Sequence, residues 1–149
     1  MAIDQSFVGR IYPATDPYRV TREKIIEYVI AINDSNPVYR DVKVARACGY
    51  PDVIAPPAFA IVITLPAMQL MLQDPEAGID YSRIVHGEQR FLHRRPLFAG
   101  DVVHAQCSID DVRDAGQHML IESRVGVTTD EGEAILAALT TTVLRGDTI

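Results

Sequence analysis

Residues 54–72 read Ile-Ala-Pro-Pro-Ala-Phe-Ala-Ile-Val-Ile-Thr-Leu-Pro-Ala-Met-Gln-Leu-Met-Leu, apolar almost throughout. The run is long enough to raise the question of a membrane span. Pro56, Pro57 and Pro66, and the isolation of this single stretch, argue against one. A helix that begins near Pro57 or Ala58 and is hydrophobic on every face is instead expected to lie inside the protein, wrapped by other structure. Pro66 removes one intrahelical hydrogen bond and should kink that helix or mark a break in it.

Downstream the character changes to four β-rich stretches, approximately 83–94, 101–112, 117–129 and 133–145, separated by turn signals. In the second, Val103, Ala105, Cys107 and Ile109 face one way and His104, Gln106, Ser108 and Asp110 the other. In the third, Met119, Ile121, Val125 and Val127 oppose Glu122, Arg124 and Thr128. Asp114-Ala115-Gly116 and Asp130-Glu131-Gly132 supply turns whose glycines take positive φ at little cost. An antiparallel meander follows, and its apolar face needs a cover that only the 58–72 helix is hydrophobic enough to provide. The expected class is α+β, an antiparallel sheet wrapped around a long central helix. With no repeats or linker-like tracts, residues 1–149 read as one domain.

Upstream, residues 21–33 place Ile25, Tyr28, Val29 and Ile32 at helical spacing after Thr21 as N-cap. The helix should stop at Asp34-Ser35-Asn36-Pro37, because proline disfavours helical geometry for the residue before it. A short second helix is expected from Val42 to Cys48, with Gly49 as its C-cap.

Composition narrows the function classes. The chain has 149 residues, 48% apolar and 23% charged, with a net charge of −6 and no basic run to neutralise a phosphate backbone, so nucleic acid is not an expected partner. The N-terminal residues MAIDQSFVGRIYP lack the pattern of a secretory signal, and a cytoplasmic location is expected. Cys48 and Cys107 form no Cys-x-x-Cys pair and read as ordinary buried thiols. His93, His104 and His118 have no carboxylate or cysteine at metal-ligand spacing, so they read as surface or packing residues and no metal is implied.

Two stretches carry chemistry. The first, Ala31-Ile32-Asn33-Asp34-Ser35-Asn36-Pro37-Val38-Tyr39, resembles the hydratase 2 motif of MaoC-like dehydratases, a Gly-Asp-x-Asn-Pro-x-His run at the end of the first helix. In that family the aspartate and histidine form a dyad that handles the water gained or lost across the Cα–Cβ bond, a reaction that needs proton transfer at Cα and at the oxygen carried by Cβ. Here Asp34, Asn36 and Pro37 match, but Tyr39 stands in the histidine position and Asn33 in that of the glycine. A phenol with a pKa of about 10 does not perform the same acid–base work near neutrality without a large shift. Read from the residues alone, Asp34 and Asn36 make a helix-terminating Asx turn; read through the resemblance, they are a relic of the catalytic turn.

The second stretch is Ile84-Val85-His86-Gly87-Glu88-Gln89-Arg90-Phe91, continuing through Arg94-Arg95-Pro96 to Gly100-Asp101. It looks like the non-catalytic half of two-domain hydratase 2 enzymes, which shapes the tunnel for the acyl chain. It is also similar to the acyl-binding subunits of (3R)-hydroxyacyl-ACP dehydratases in mycolic-acid-type fatty acid synthesis. With Val8-Gly9, Arg22-Glu23-Lys24-Ile25 and Asp52-Val53-Ile54-Ala55-Pro56-Pro57, these motifs run in order along almost the whole chain. The chain is thus identified as similar to MaoC-like, FAS1-type dehydratase-like and UPF0336-like proteins, whose fold is the hot-dog.

The resemblance implies an acyl-thioester-binding, non-catalytic subunit of an R-specific dehydratase or enoyl hydratase, a hydro-lyase only as part of a complex and inactive alone. The substrate would be carried on coenzyme A or acyl carrier protein, with no cofactor. The expected partner is a second copy or a catalytic hot-dog subunit, because a single sheet leaves apolar surface uncovered. Candidate catalytic residues are Asp34 and His86, and candidate substrate-binding residues are Asn36, Tyr39, Pro57, Phe59, Ile63, Gly87 and Gln89. Phe59, Ile63, Met68, Met71 and Leu72 line an alkyl tunnel or simply pack the core. His86 is a hydrogen-bonded imidazole or a contact to a thioester carbonyl or a partner's site; Arg94 and Arg95 are solvated surface or a phosphate contact. Two alternatives remain: a self-sufficient homodimeric hydratase using Asp34 with His86, and a non-enzymatic acyl-binding module. Thioesterase activity is the weakest option, since the dehydratase-like turn is not expected there.

Overall fold

The computed structural model describes residues 3–146, so the outermost positions of the expected domain, 1–2 and 147–149, lie outside the described residues. In chain order the elements are β1 (Tyr18–Arg19), α1 (Arg22–Ala31), α2 (Val42–Ala47), α3 (Ala60–Leu72), β2 (Ile84–His93), β3 (Val102–Ala115), β4 (His118–Thr129) and β5 (Ala134–Leu144). The strands form one antiparallel sheet in the order β1-β3-β4-β5-β2, with α3 packed on its apolar face. The α+β arrangement of a sheet around a helix is therefore present.

Alternation dictates the long strands. Val103, Ala105, Cys107 and Ile109 are buried on β3, and Ile121, Val125 and Val127 on β4, while their polar neighbours face outward. Gly116 and Gly132 both take positive φ at the turns joining β3 to β4 and β4 to β5. The four stretches do not, however, make one meander. β3, β4 and β5 do, but β2 crosses to pair with β5, from Ile84↔Leu144 to His93↔Leu136. The free side of β3 is occupied instead by the N-terminal segment, whose Gly9, Tyr12 and Thr15 amides donate to the carbonyls of Ile109, Cys107 and Ala105.

Thr21 caps α1 by accepting from the Lys24 amide at 3.2 Å, and Ile25 and Val29 are buried beneath it. Ile32, expected on the same apolar face, is 48% exposed because the helix has already ended. The ending is a Schellman motif: Asn33 takes φ 57° and the Asp34 amide donates to the Val29 carbonyl at 2.8 Å. Asp41 caps α2, and Gly49 follows it at φ 91°. Cys48 is exposed rather than buried, since it closes α2 on its outer side; Cys107 is buried, and burial pushes its thiol up to about 12.

α3 departs from expectation twice. It runs through Pro66 without a break, anchored on both sides of the proline by buried Ile63, Thr64, Ala67, Met68, Met71 and Leu72. It is also not wrapped on every face, because the sheet covers one side only: Leu65 is 37% and Leu70 41% exposed. Among the described residues no helix is long and apolar enough to cross a membrane.

Candidate functional site

The turn after α1 is held by its own polar groups. The Asp34 carboxylate accepts the Asn36 amide at 2.9 Å, an Asx turn, and the Asn36 side chain accepts the Val38 amide at 3.1 Å, capping the 3-10 turn Pro37–Tyr39. Arg40 closes the loop with a 2.6 Å bond to the Asp34 carbonyl. Tyr39 is partly buried, and its phenol is held above its ordinary pKa by that burial first and by the Asp34 and Tyr50 charges second. Among the described residues no histidine ring is bonded to Asp34: His86 contacts Gln89, His93 the Pro57 carbonyl, His104 Thr15 and Asp130, and His118 the Gly146 amide. The turn therefore holds a carboxylate and a phenol that stays protonated near neutrality.

His86, Gly87 and Gln89 lie on β2, an edge strand of the sheet. His86 is exposed, and its Nε2 sits 3.2 Å from the Gln89 Oε1, an oxygen that also accepts from the Thr140 hydroxyl at 2.9 Å. That oxygen is an acceptor, so the contact places the proton of a neutral His86 ring on Nε2 and leaves Nδ1 as an acceptor. Gly87 sits where β2 bulges against β5. A Cβ there would come within 3.1 Å of both the Thr141 carbonyl oxygen and Val143 Cγ2. His93 ties the strand to the start of the central helix through a 3.1 Å contact with the Pro57 carbonyl.

The expected alkyl-lining residues separate. Phe59 is fully buried with Tyr28 edge-on at 5.4 Å, and Met71 is fully buried as well, so both are core. Met68 and Leu72 are nearly as enclosed. Ile63 borders a trough of about 580 Å³ between the extended segment Pro13–Tyr18 and the outer side of α3 at Val62, Pro66 and Leu70. Pro57 is exposed beside the helix start.

Arg95 is not a phosphate contact. Its guanidinium is spent on Asp101, with two bonds of 2.9 Å, and on Glu133 at 2.8 Å, and it stacks 4.3 Å over Phe98. These partners raise its pKa further, and Arg95 in turn lowers that of Glu133. The connection that sends β2 away from β3 is thus pinned by two ion pairs. Thr140 and the trough segment Pro13–Tyr18 carried no signal in the sequence, because each acquires its neighbours only through long-range pairing. Among the described residues no group of three His, Cys, Asp or Glu side chains is placed to hold a metal ion.

Comparison with known proteins agrees with this architecture. The chain matches the FAS1-like, dehydratase domain region over residues 6–138. It is 47% identical over 146 residues to a UPF0336 protein of Saccharopolyspora erythraea, covering 98% of this chain and 94% of that one. A UPF0336 protein of Streptomyces avermitilis is 48% identical over 145 residues, covering 97% of each. Among solved structures, a MaoC-like dehydratase superposes with a TM-score of 0.87 at 29% identity, covering 95% of this chain and 43% of the other. The C-terminally truncated HadBC (3R-hydroxyacyl-ACP dehydratase) complex of Mycobacterium tuberculosis gives 0.78 at 29% identity, covering 92% and 96%. The sheet-and-helix arrangement is thus the hot-dog fold, and the chain belongs to the FAS1-like dehydratase domain family.

Proposed function

We propose that this chain is the acyl-thioester-binding, non-catalytic subunit of an R-specific 3-hydroxyacyl-thioester dehydratase or enoyl hydratase, working beside a catalytic hot-dog subunit. The observation that carries the reading is the turn at 33–39. Its carboxylate braces the Asn36 amide, and the position of the dyad histidine holds a phenol whose pKa lies above the ordinary value. Dehydration needs one group that gives and one that takes a proton near neutrality, and this pair supplies no such group in place of the histidine.

The free edge of β2 supports a partner. Its outer backbone is unpaired among the described residues, and Val85 and Leu92 on it are 44% and 49% exposed, a combination that edge strands rarely leave bare. A HadBC complex among the structural relatives supports a heterodimer; a second copy of this chain would meet the same edge. In the complex His86, oriented by Gln89, offers its Nδ1 across the interface to the substrate or the partner's site, with Asn36, Tyr39 and Pro57 as further contacts to the substrate. The acyl group arrives on coenzyme A or acyl carrier protein, with no further cofactor.

The test is hydration of a 2-enoyl thioester by the purified chain alone, then with the catalytic hot-dog protein of the same source. The expected result is no turnover alone and turnover in the mixture. Turnover by the isolated chain that disappears in Asp34→Asn would overturn the proposal in favour of a self-sufficient enzyme.

A further inference from the structure

His104 sits on β3 with its ring turned outward between two other segments. Nδ1 lies 3.1 Å from the Thr15 carbonyl of the extended segment Pro13–Tyr18, and Nε2 contacts the Asp130 carboxylate on the turn between β4 and β5. Both partners are oxygen acceptors without a hydrogen of their own to offer. A neutral imidazole has one N–H and satisfies one of them; only the imidazolium, with two, satisfies both.

We propose that protonated His104 is a clasp that fastens the segment Pro13–Tyr18 to the β4–β5 turn, and that loss of its proton frees this segment and loosens the trough it walls. When the ring is neutral, its remaining hydrogen stays with the carboxylate, the stronger acceptor. The bare Nδ1 lone pair then faces the Thr15 carbonyl and repels it. Thr15 keeps two other ties, its amide to the Ala105 carbonyl at 2.8 Å and its hydroxyl, which accepts the Ala105 amide at 3.0 Å. The response is therefore local loosening, with the sheet intact. It matters for the trough because Thr15 and Asp16 form its wall opposite Val62 and Pro66.

The charged groups facing the ring are Asp130 from the β4–β5 turn and Asp16 from the segment itself; its register partner on β4 is the uncharged Thr128. The Thr15 carbonyl first, then Asp130 and Asp16, hold the imidazole above its ordinary value. A group with a raised folded pKa contributes fully below its unfolded pKa, about 6.5 for histidine, and the contribution is lost as pH rises through the folded value. The clasp is thus closed in mild acid and opens as pH rises through the raised folded value.

The experiment is an NMR titration of the full chain from pH 5 to 9, without substrate or partner, so it stands apart from the acyl-binding role. The His104 ring should titrate above the ordinary histidine value of about 6.5, and the Asp16 amide shift, which reports on the Thr15 carbonyl, should follow the same midpoint. Protection of the Thr15 amide, corrected for intrinsic exchange, should fall about tenfold across the transition, the equivalent of one charge-assisted hydrogen bond. Asp130→Asn should lower the midpoint, and His104→Gln should make the Asp16 shift independent of pH between 6 and 9. The proposal is overturned if His104 titrates at or below the ordinary histidine value of about 6.5, or if the Asp16 amide does not track the ring in the wild-type chain.

Discussion

The turn at residues 33–41 and the strand at 84–93 carry the two motifs that relate this chain to dehydratases, and they spend their polar groups in opposite ways. In the turn, Asp34, Asn36, Arg40 and Asp41 all bond to backbone within a few residues of themselves. In the strand, His86 bonds to the Gln89 side chain, which Thr140 and the Leu139 carbonyl hold from the neighbouring strand, 51 and 50 residues away, while the outer edge has no strand partner among the described residues and Val85 and Leu92 face solvent. A polar group satisfied locally shapes the chain and has little capacity left for a ligand. One held at an open edge still has an unused face. The proposed function draws on that difference, taking the turn as architecture and the strand as the surface for recognition.

The largest effect expected from probing this contrast is at the one strand position where architecture rules. Gly87 is not in the left-handed region, so the obstacle to a side chain is contact, with a carbonyl oxygen and a methyl each 3.1 Å from a notional Cβ. Gly87→Ala should destabilise the fold by about 1–3 kcal/mol, the usual cost of overpacking, as measured by urea denaturation. A neutral result would mean that the bulge between β2 and β5 relaxes freely and that the strand is less tightly specified than its register suggests.

How far the sequence anticipates this molecule depends on the range of the forces involved. Alternation at Val103, Ala105, Cys107 and Ile109 is a local period, and the strand follows it. Thr21 and Gly49 mark helix ends through local preferences, and each does so here, whereas α1 ends at Ala31 on the left-handed Asn33, ahead of the stop expected from Pro37. The crossing of β2 to the far side of β5 leaves no local trace, because it depends on the Arg95–Asp101–Glu133 ion pairs and on the N-terminal segment filling the edge of β3. For α3, the pattern of residues 54–72 shows that apolar surface must be covered but not how much of the cover comes from the same chain. The sheet covers one side of the helix, which is why Leu65 and Leu70 are exposed while Met71 is not. At the candidate site the aspartate's Asx role was readable from the spacing of Asp34 and Asn36; the Gln89–Thr140 support beneath His86 was not, since the two lie 51 residues apart.

A smaller effect is expected in the turn. Asp34→Ala removes the acceptor of the Asn36 amide and should cost about 1 kcal/mol, as loss of a capping side chain does, whereas Asp34→Asn keeps an oxygen in place and should cost less. In the complex with a catalytic subunit, both variants should retain turnover once enough folded protein is present. If Asp34→Asn is as stable as the wild-type chain yet the complex loses its activity, the turn is doing chemistry and the contrast with the strand collapses.

The smallest expected change in stability belongs to His86, and there the contrast is sharpest. The ring is exposed and its one hydrogen bond among the described residues is to a side chain that Thr140 also holds, so His86→Ala should leave the unfolding free energy within about 0.5 kcal/mol of wild type. The same substitution should lower kcat/KM of the assembled enzyme about tenfold or more, the scale of one lost hydrogen bond at the reacting group. His86→Gln keeps a polar side chain of similar reach and distinguishes the two kinds of role. If recognition requires only a hydrogen bond, it should recover part of the loss; if the ring must exchange a proton, it should recover none and the pH profile of kcat/KM should lose a limb. Loss of stability without a kinetic change would instead make His86 a structural residue like Asp34, and the edge of β2 a surface for the partner's backbone alone.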